Sequence, residues 1–134
     1  RITLAPYWKD APPDHLAASS LCDDARFWAK LSRSDLAGEP FWPPSLLHYF
    51  SIHLRIHPPA SVVVDISAHI ETKMGAVAAY RSQLIEGRST EHPTVLDDIR
   101  DRARYWGWSI GKSHGEPLLN REQIGIGSLD SLLN

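Results

Sequence analysis

The chain has 134 residues, 43% hydrophobic and 22% charged, which suits one modest folded domain or part of a larger one and excludes a disordered tail. A net charge of −2 and a pI of about 6.4 leave no basic stripe for nucleic acid or an anionic membrane, and the apolar runs are too short to span a bilayer. A lone Cys22 excludes an internal disulfide framework and fits a reducing, cytoplasmic compartment.

Residues 1–6 read as a strand or its exit, with Ile2 and Leu4 apolar at period two before Pro6. Pro12-Pro13 then fixes the backbone just ahead of Asp14 and His15, which open a helix over residues 14–32. Its predicted apolar stripe is Leu16, Ala17, Leu21, Ala25, Trp28 and Leu31, with Cys22 as a small buried side chain. Residues 34–44 carry Gly38, Pro40, Pro43 and Pro44 and read as a loop that tucks Phe41 and Trp42 against the body.

Residues 46–50 suit a short strand, with His48 packed or at an edge. The β-branched run 61–66 predicts a buried, parallel-type strand. Ser67 can cap a helix whose stripe is Ile70, Met74, Val77 and Leu84, running to about residue 85, with Gly87 placed to end it. A further helix starts at Thr94, where Asp97 three residues on makes an imperfect capping box, and Gly111 stops it. Trp106 and Trp108 cannot share a face of that helix, so one is core and the other is not. Residues 116–134 show no strong period before Leu129, Leu132 and Leu133. Two strands and three amphipathic helices are too few for a self-sufficient doubly wound sheet. The expectation is α/β, the C-terminal part of a Rossmann-like three-layer sheet with amphipathic helices.

The segment Asp10-Ala11-Pro12-Pro13-Asp14-His15 resembles the second metal motif, Asp-Arg-His-Pro-Asp-His, of the LmbE-like (PIG-L-type) zinc N-deacetylases. The resemblance continues in order. Val63-Val64-Asp65-Ile66-Ser67, then Lys73-Met74, then Tyr80-Arg81-Ser82-Gln83-Leu84 are similar to that family's strand and following helix. Arg102-Ala103-Arg104-Tyr105-Trp106-Gly107 and Gly115-Glu116-Pro117 are similar to its last helix and exit. The nearest branch is the bacillithiol-type deacetylase of N-acetylglucosaminyl-malate. By this resemblance residues 1–134 are the C-terminal portion of one deacetylase domain, whose first metal motif lies upstream of Arg1; a start at Arg1 rather than Met agrees with truncation.

The resemblance implies hydrolysis of an N-acetyl amide by water activated on one Zn²⁺, which also polarises the carbonyl. His15 would be the metal ligand, bound as neutral imidazole, against the plainer reading of a solvated helix-start histidine. Asp14 matches the acidic residue thought to orient an active-site histidine, a catalytic role compatible with simple capping at the helix start. The family's oxyanion-stabilising histidine is Pro12 here, and proline offers neither a titratable group nor a donor. His53, on a connection with His57, is the candidate to replace that acid and contact the sugar, against the reading of a solvated loop histidine. His69, His92 and His114 read as surface positions. Asp65 either holds its neighbouring loop by accepting backbone N–H groups or contributes to the pocket.

The expected partners are a small-molecule amino-sugar conjugate and further copies of the chain as a homo-oligomer, with no nucleic acid and no membrane. Zn²⁺ is the expected cofactor, one per site, although iron can use the same ligand types. The alternative is a non-catalytic family member that binds a sugar conjugate or serves as a partner subunit, because of Pro12.

Overall fold

The computed structural model describes residues 2–50 and 57–132. The chain divides into two compact units, Arg1–Pro59 with Leu119–Asn134, and Ala60–Leu118.

In the first unit, β1 (Ile2–Pro6) leads through a six-residue turn into α1 (Pro13–Ala29), and the chain returns as β2 (Ser45–Tyr49), parallel to β1. Leu4 stands opposite Leu47 and Ala5 opposite His48. A parallel pair needs a crossover, and α1 with its following loop supplies it. Ala5, Tyr7, Leu46 and Leu47 form the core of this unit. The predicted stripe of α1 is corrected. Leu16, Leu21 and Trp28 are exposed, while His15, Cys22, Arg26 and Ala29 are half-buried and Ser19 is buried. Those five recur at three-to-four spacing, so they form one face. Polar bonds at both ends of the helix, from His15 and Arg26, fix that face inward.

In the second unit, β3 (Val62–Asp65) pairs antiparallel with β4 (Gly115–Leu119), with Val63 opposite Pro117. Between them run α2 (Ile70–Ala78), α3 (Arg81–Leu84) and α4 (Val95–Ser109). Ile70 and Met74 of α2, Ile99 and Ala103 of α4, and Leu118 of β4 are buried. The run 61–66 is therefore antiparallel rather than parallel, and only half-buried at Val62 and Val63.

The long helix expected after Ser67 is broken: a 3₁₀ turn at Ser67–His69 precedes α2, and Tyr80, with ψ of 54°, separates α2 from α3. Ser67 does not cap. Its hydroxyl bonds the His114 carbonyl at 3.5 Å and accepts from the His114 N–H at 3.3 Å. Asp65 takes the loop-holding role, accepting the Ser67 N–H at 2.9 Å. The Ser67 hydroxyl first, and then that backbone bond, hold its carboxyl below the usual range, with Lys112 adding to it.

The capping box at α4 is complete, with Thr94 Oγ1 accepting from Asp97 N and Asp97 accepting from Thr94 N. Gly111 turns the chain out of α4 with φ of 68°. Trp106 is half-buried and Trp108 exposed, the division expected of an i, i+2 pair. The chain is a mixed α/β protein, and among the described residues no helix is long and apolar enough to cross a membrane.

Candidate functional site around His15

The turn between β1 and α1 is closed by the Asp10 N–H donating to the Tyr7 carbonyl at 3.0 Å, and anchored by the Tyr7 N–H on the Tyr49 carbonyl at 3.1 Å. Pro12, with φ of −70° and ψ of 131°, holds the residue before the helix extended, and its carbonyl accepts from the N–H groups of His15 and Leu16. The ring fixes φ and the missing N–H costs nothing there, because the first N–H groups of a helix have no internal partner.

This path swings Asp10 under the first turn of α1. Its Oδ2 lies 2.8 Å from His15 Nδ1, and its Oδ1 accepts the Ala11 N–H at 2.8 Å. The Asp10 side chain is fully buried, while that of His15 is 31% exposed. A carboxylate only accepts, so Nδ1 carries the proton in this bond, and in the neutral imidazole Nε2 is then the nitrogen with the lone pair. A carboxylate behind a histidine whose other nitrogen stays available is the usual arrangement behind a metal-bound imidazole.

Asp14 lies at the second helical position, exposed, and its carboxylate has no hydrogen-bond partner among the described residues. The expected capping bond is absent, since Pro12 is the cap and offers no side-chain acceptor. What remains for Asp14 is a favourable charge at the positive end of α1. The residue oriented toward His15 is Asp10, which periodicity does not single out, because five residues span a turn rather than a helix repeat. The available signal was its match to the first Asp of the family motif. His53 lies outside the described residues.

Behind the turn, His48 is 1% exposed and its Nδ1 donates to the Pro6 carbonyl at 2.9 Å. Burial pushes its pKa below the usual value, and the Pro6 bond offsets this only in part. Trp8 meets the His48 ring edge-on at 4.7 Å between centroids. Burial raises the pKa of the Tyr49 hydroxyl, with the Cys22 and Asp10 charges adding to the effect.

Ser19 follows His15 by one turn, which invites a Ser-His-Asp relay. Its hydroxyl is buried and has no hydrogen-bond partner among the described residues, so it is neither activated by the imidazole nor open to a substrate. In the second unit Lys73 pairs with Glu116, so two of the quoted motif elements meet there. His114, expected at the surface, is half-buried, and its Nε2 has no hydrogen-bond partner among the described residues.

No family model matches this chain. Among solved structures it resembles the conserved protein TT1542 from Thermus thermophilus, with a TM-score of 0.80 and 33% identity over 94% of this chain and 53% of that one. It also resembles GalB, the 4-carboxy-2-hydroxymuconate hydratase from Pseudomonas putida, with a TM-score of 0.69 and 18% identity over 94% of this chain and 54% of that one. The chain shares the α/β fold of these proteins and spans about half the length of each.

Of the described motif residues, His15 fits the part of a metal ligand. The His15 side chain is 31% exposed, with the buried Asp10 carboxylate behind it. Among the described residues no group of three or more His, Cys, Asp or Glu side chains could hold an ion.

Proposed function

We propose that this chain is the C-terminal portion of a zinc-dependent N-deacetylase of the LmbE-like type, acting in the cytoplasm on an N-acetylglucosaminyl conjugate such as N-acetylglucosaminyl-malate. The observation that carries this reading is the buried Asp10 carboxylate 2.8 Å from Nδ1 of a partly exposed His15, an arrangement that in the neutral imidazole leaves Nε2 free to ligate. The length shared with the Thermus protein, 53% of that chain, leaves room for the remaining ligands outside these residues.

In this reading His15 holds the ion through Nε2, and Asp10 keeps the imidazole in the required tautomer while its charge strengthens the donor. When bound, zinc would supply Lewis acidity toward the amide carbonyl and a water acidified for attack. Pro12 supplies no proton to the departing amine, so that task falls to another group.

The Pro12 position supports a second reading, a member of the same type that binds the sugar conjugate without turning it over.

Zinc titration with acetate release decides. The 134 residues alone should show no sub-micromolar zinc site, because one histidine is not a cage. The longer natural protein should bind one zinc and release acetate, and His15→Ala should abolish both. A longer protein that binds no zinc would overturn the proposal.

A further inference from the structure

We propose that Arg121 is a positioning residue for His15: together with Glu122 it straps the turn that carries Asp10 to the helix that carries His15. The inference rests on the reading of His15 as a metal ligand, but its geometry stands apart from any ion. Arg121 Nη1 lies 2.7 Å from Asp23 Oδ2, and its guanidinium sits over the Trp8 ring at 4.5 Å from the centroid. The next residue, Glu122, accepts from Arg26 Nη2 at 2.9 Å, while Arg26 Nε donates to the Pro43 carbonyl at 3.2 Å.

Asp23 and Arg26 are three apart on α1, hence on one face, and their order of charge is the complement of Arg121-Glu122. Single exposed ion pairs contribute little, but here two pairs and a stacked ring share one cost of ordering the same short segment. Trp8 is the second residue of the turn that Asp10 closes. A side chain that holds Trp8 on one hand and Asp23 on the other therefore fixes both carriers of the Asp10–His15 bond. A displacement of the turn by about 1 Å would break a bond of 2.8 Å.

The test reads the His15 tautomer by ¹⁵N resonances of the imidazole in the metal-free protein. The parent should show Nδ1 protonated and Nε2 bare. Arg121→Ala should move the population toward the other tautomer by about threefold or more, Arg121→Gln should do so less, and Arg121→Lys should restore the parental spectrum. In the longer, zinc-binding protein Arg121→Ala should weaken zinc about tenfold. A merely structural role would lower the melting temperature and leave the tautomer alone.

Parental ¹⁵N shifts in both the Ala and Gln variants would overturn the proposal, and the Gln variant decides if the Ala variant does not fold. A shifted tautomer in a protein that binds no zinc would sink the deacetylase reading while leaving the strap in place.

Discussion

Asp10 Oδ2 lies 2.8 Å from His15 Nδ1, across a stretch of chain that includes Pro12 and Pro13. The bond joins a fully buried carboxylate to an imidazole that reaches solvent. Asp14, the immediate neighbour of His15, is exposed and has no partner among the described residues. Two carboxylates thus precede one histidine in sequence, and only one of them supports it. In the longer, zinc-binding protein Asp10→Asn should weaken zinc by about 10–100-fold. Asp14→Asn should leave zinc affinity close to parental. Competition with a chromophoric chelator measures both, and equal losses would show that the exposed carboxylate matters as much as the buried one.

Pro12 is where catalysis and mere binding part. Its φ of −70° and ψ of 131° belong to the extended region open to most residues, so His fits there without strain on the backbone. Pro12→His should raise acetate release from N-acetylglucosaminyl-malate by about 10²-fold or more if the missing donor limits turnover. Near-zero release by the parent beside a large gain in the variant would favour the binding reading. Equal, substantial rates would mean that another group already donates the proton.

The helix start was legible because Pro12-Pro13 restricts φ and because His15 follows within the first turn. The Thr94–Asp97 box and the stop at Gly111 were legible for the same kind of reason, a local rule satisfied by neighbours in sequence. β4 was not, since Glu116 and Pro117 are poor strand formers and only the pairing with β3 makes them one. The inward face of α1 was misread because hydrophobic spacing competes there with polar anchors. The Asp10–His15 bond and the Arg26 bond to Pro43 rotate the helix, and both depend on residues outside its period. Asp10 escaped notice because its partner is set by the path of a turn, which no periodicity records.

His48 makes the stability of the fold sensitive to mild acid. Its folded pKa is depressed by burial, so in the window below the ordinary value of 6.5 the unfolded chain binds the proton and the folded chain resists it. Stability from this residue is therefore fully present above about pH 6.5 and is lost as pH falls toward the folded value, with a slope of up to about 1.4 kcal/mol per pH unit. His48→Gln should remove that slope, at a cost of about 1 kcal/mol at pH 7.5 from the altered bond to Pro6. Urea unfolding of both proteins between pH 7.5 and 5 measures the difference, and parallel curves would exclude His48 as its source.

Two glycines separate close approach from mere tolerance. A Cβ on Gly107 of α4 would stand 2.5 Å from the Cα and N of His114, and one on Gly115 would meet Val63 Cγ1 at 2.7 Å and Gly107 N at 2.8 Å. Most of these are backbone atoms, which cannot swing aside, so α4 and the start of β4 lie this near only because neither residue has a side chain. Gly107→Ala should cost about 1–3 kcal/mol or more, as overpacking does. Gly75 lies inside α2 with nothing within 4 Å of its added methyl, so Gly75→Ala should instead stabilise by about 0.5–1 kcal/mol through helix propensity. Thermal unfolding of the two variants should move in opposite directions. A neutral Gly107→Ala would mean that the helix sits farther from His114 than this packing requires.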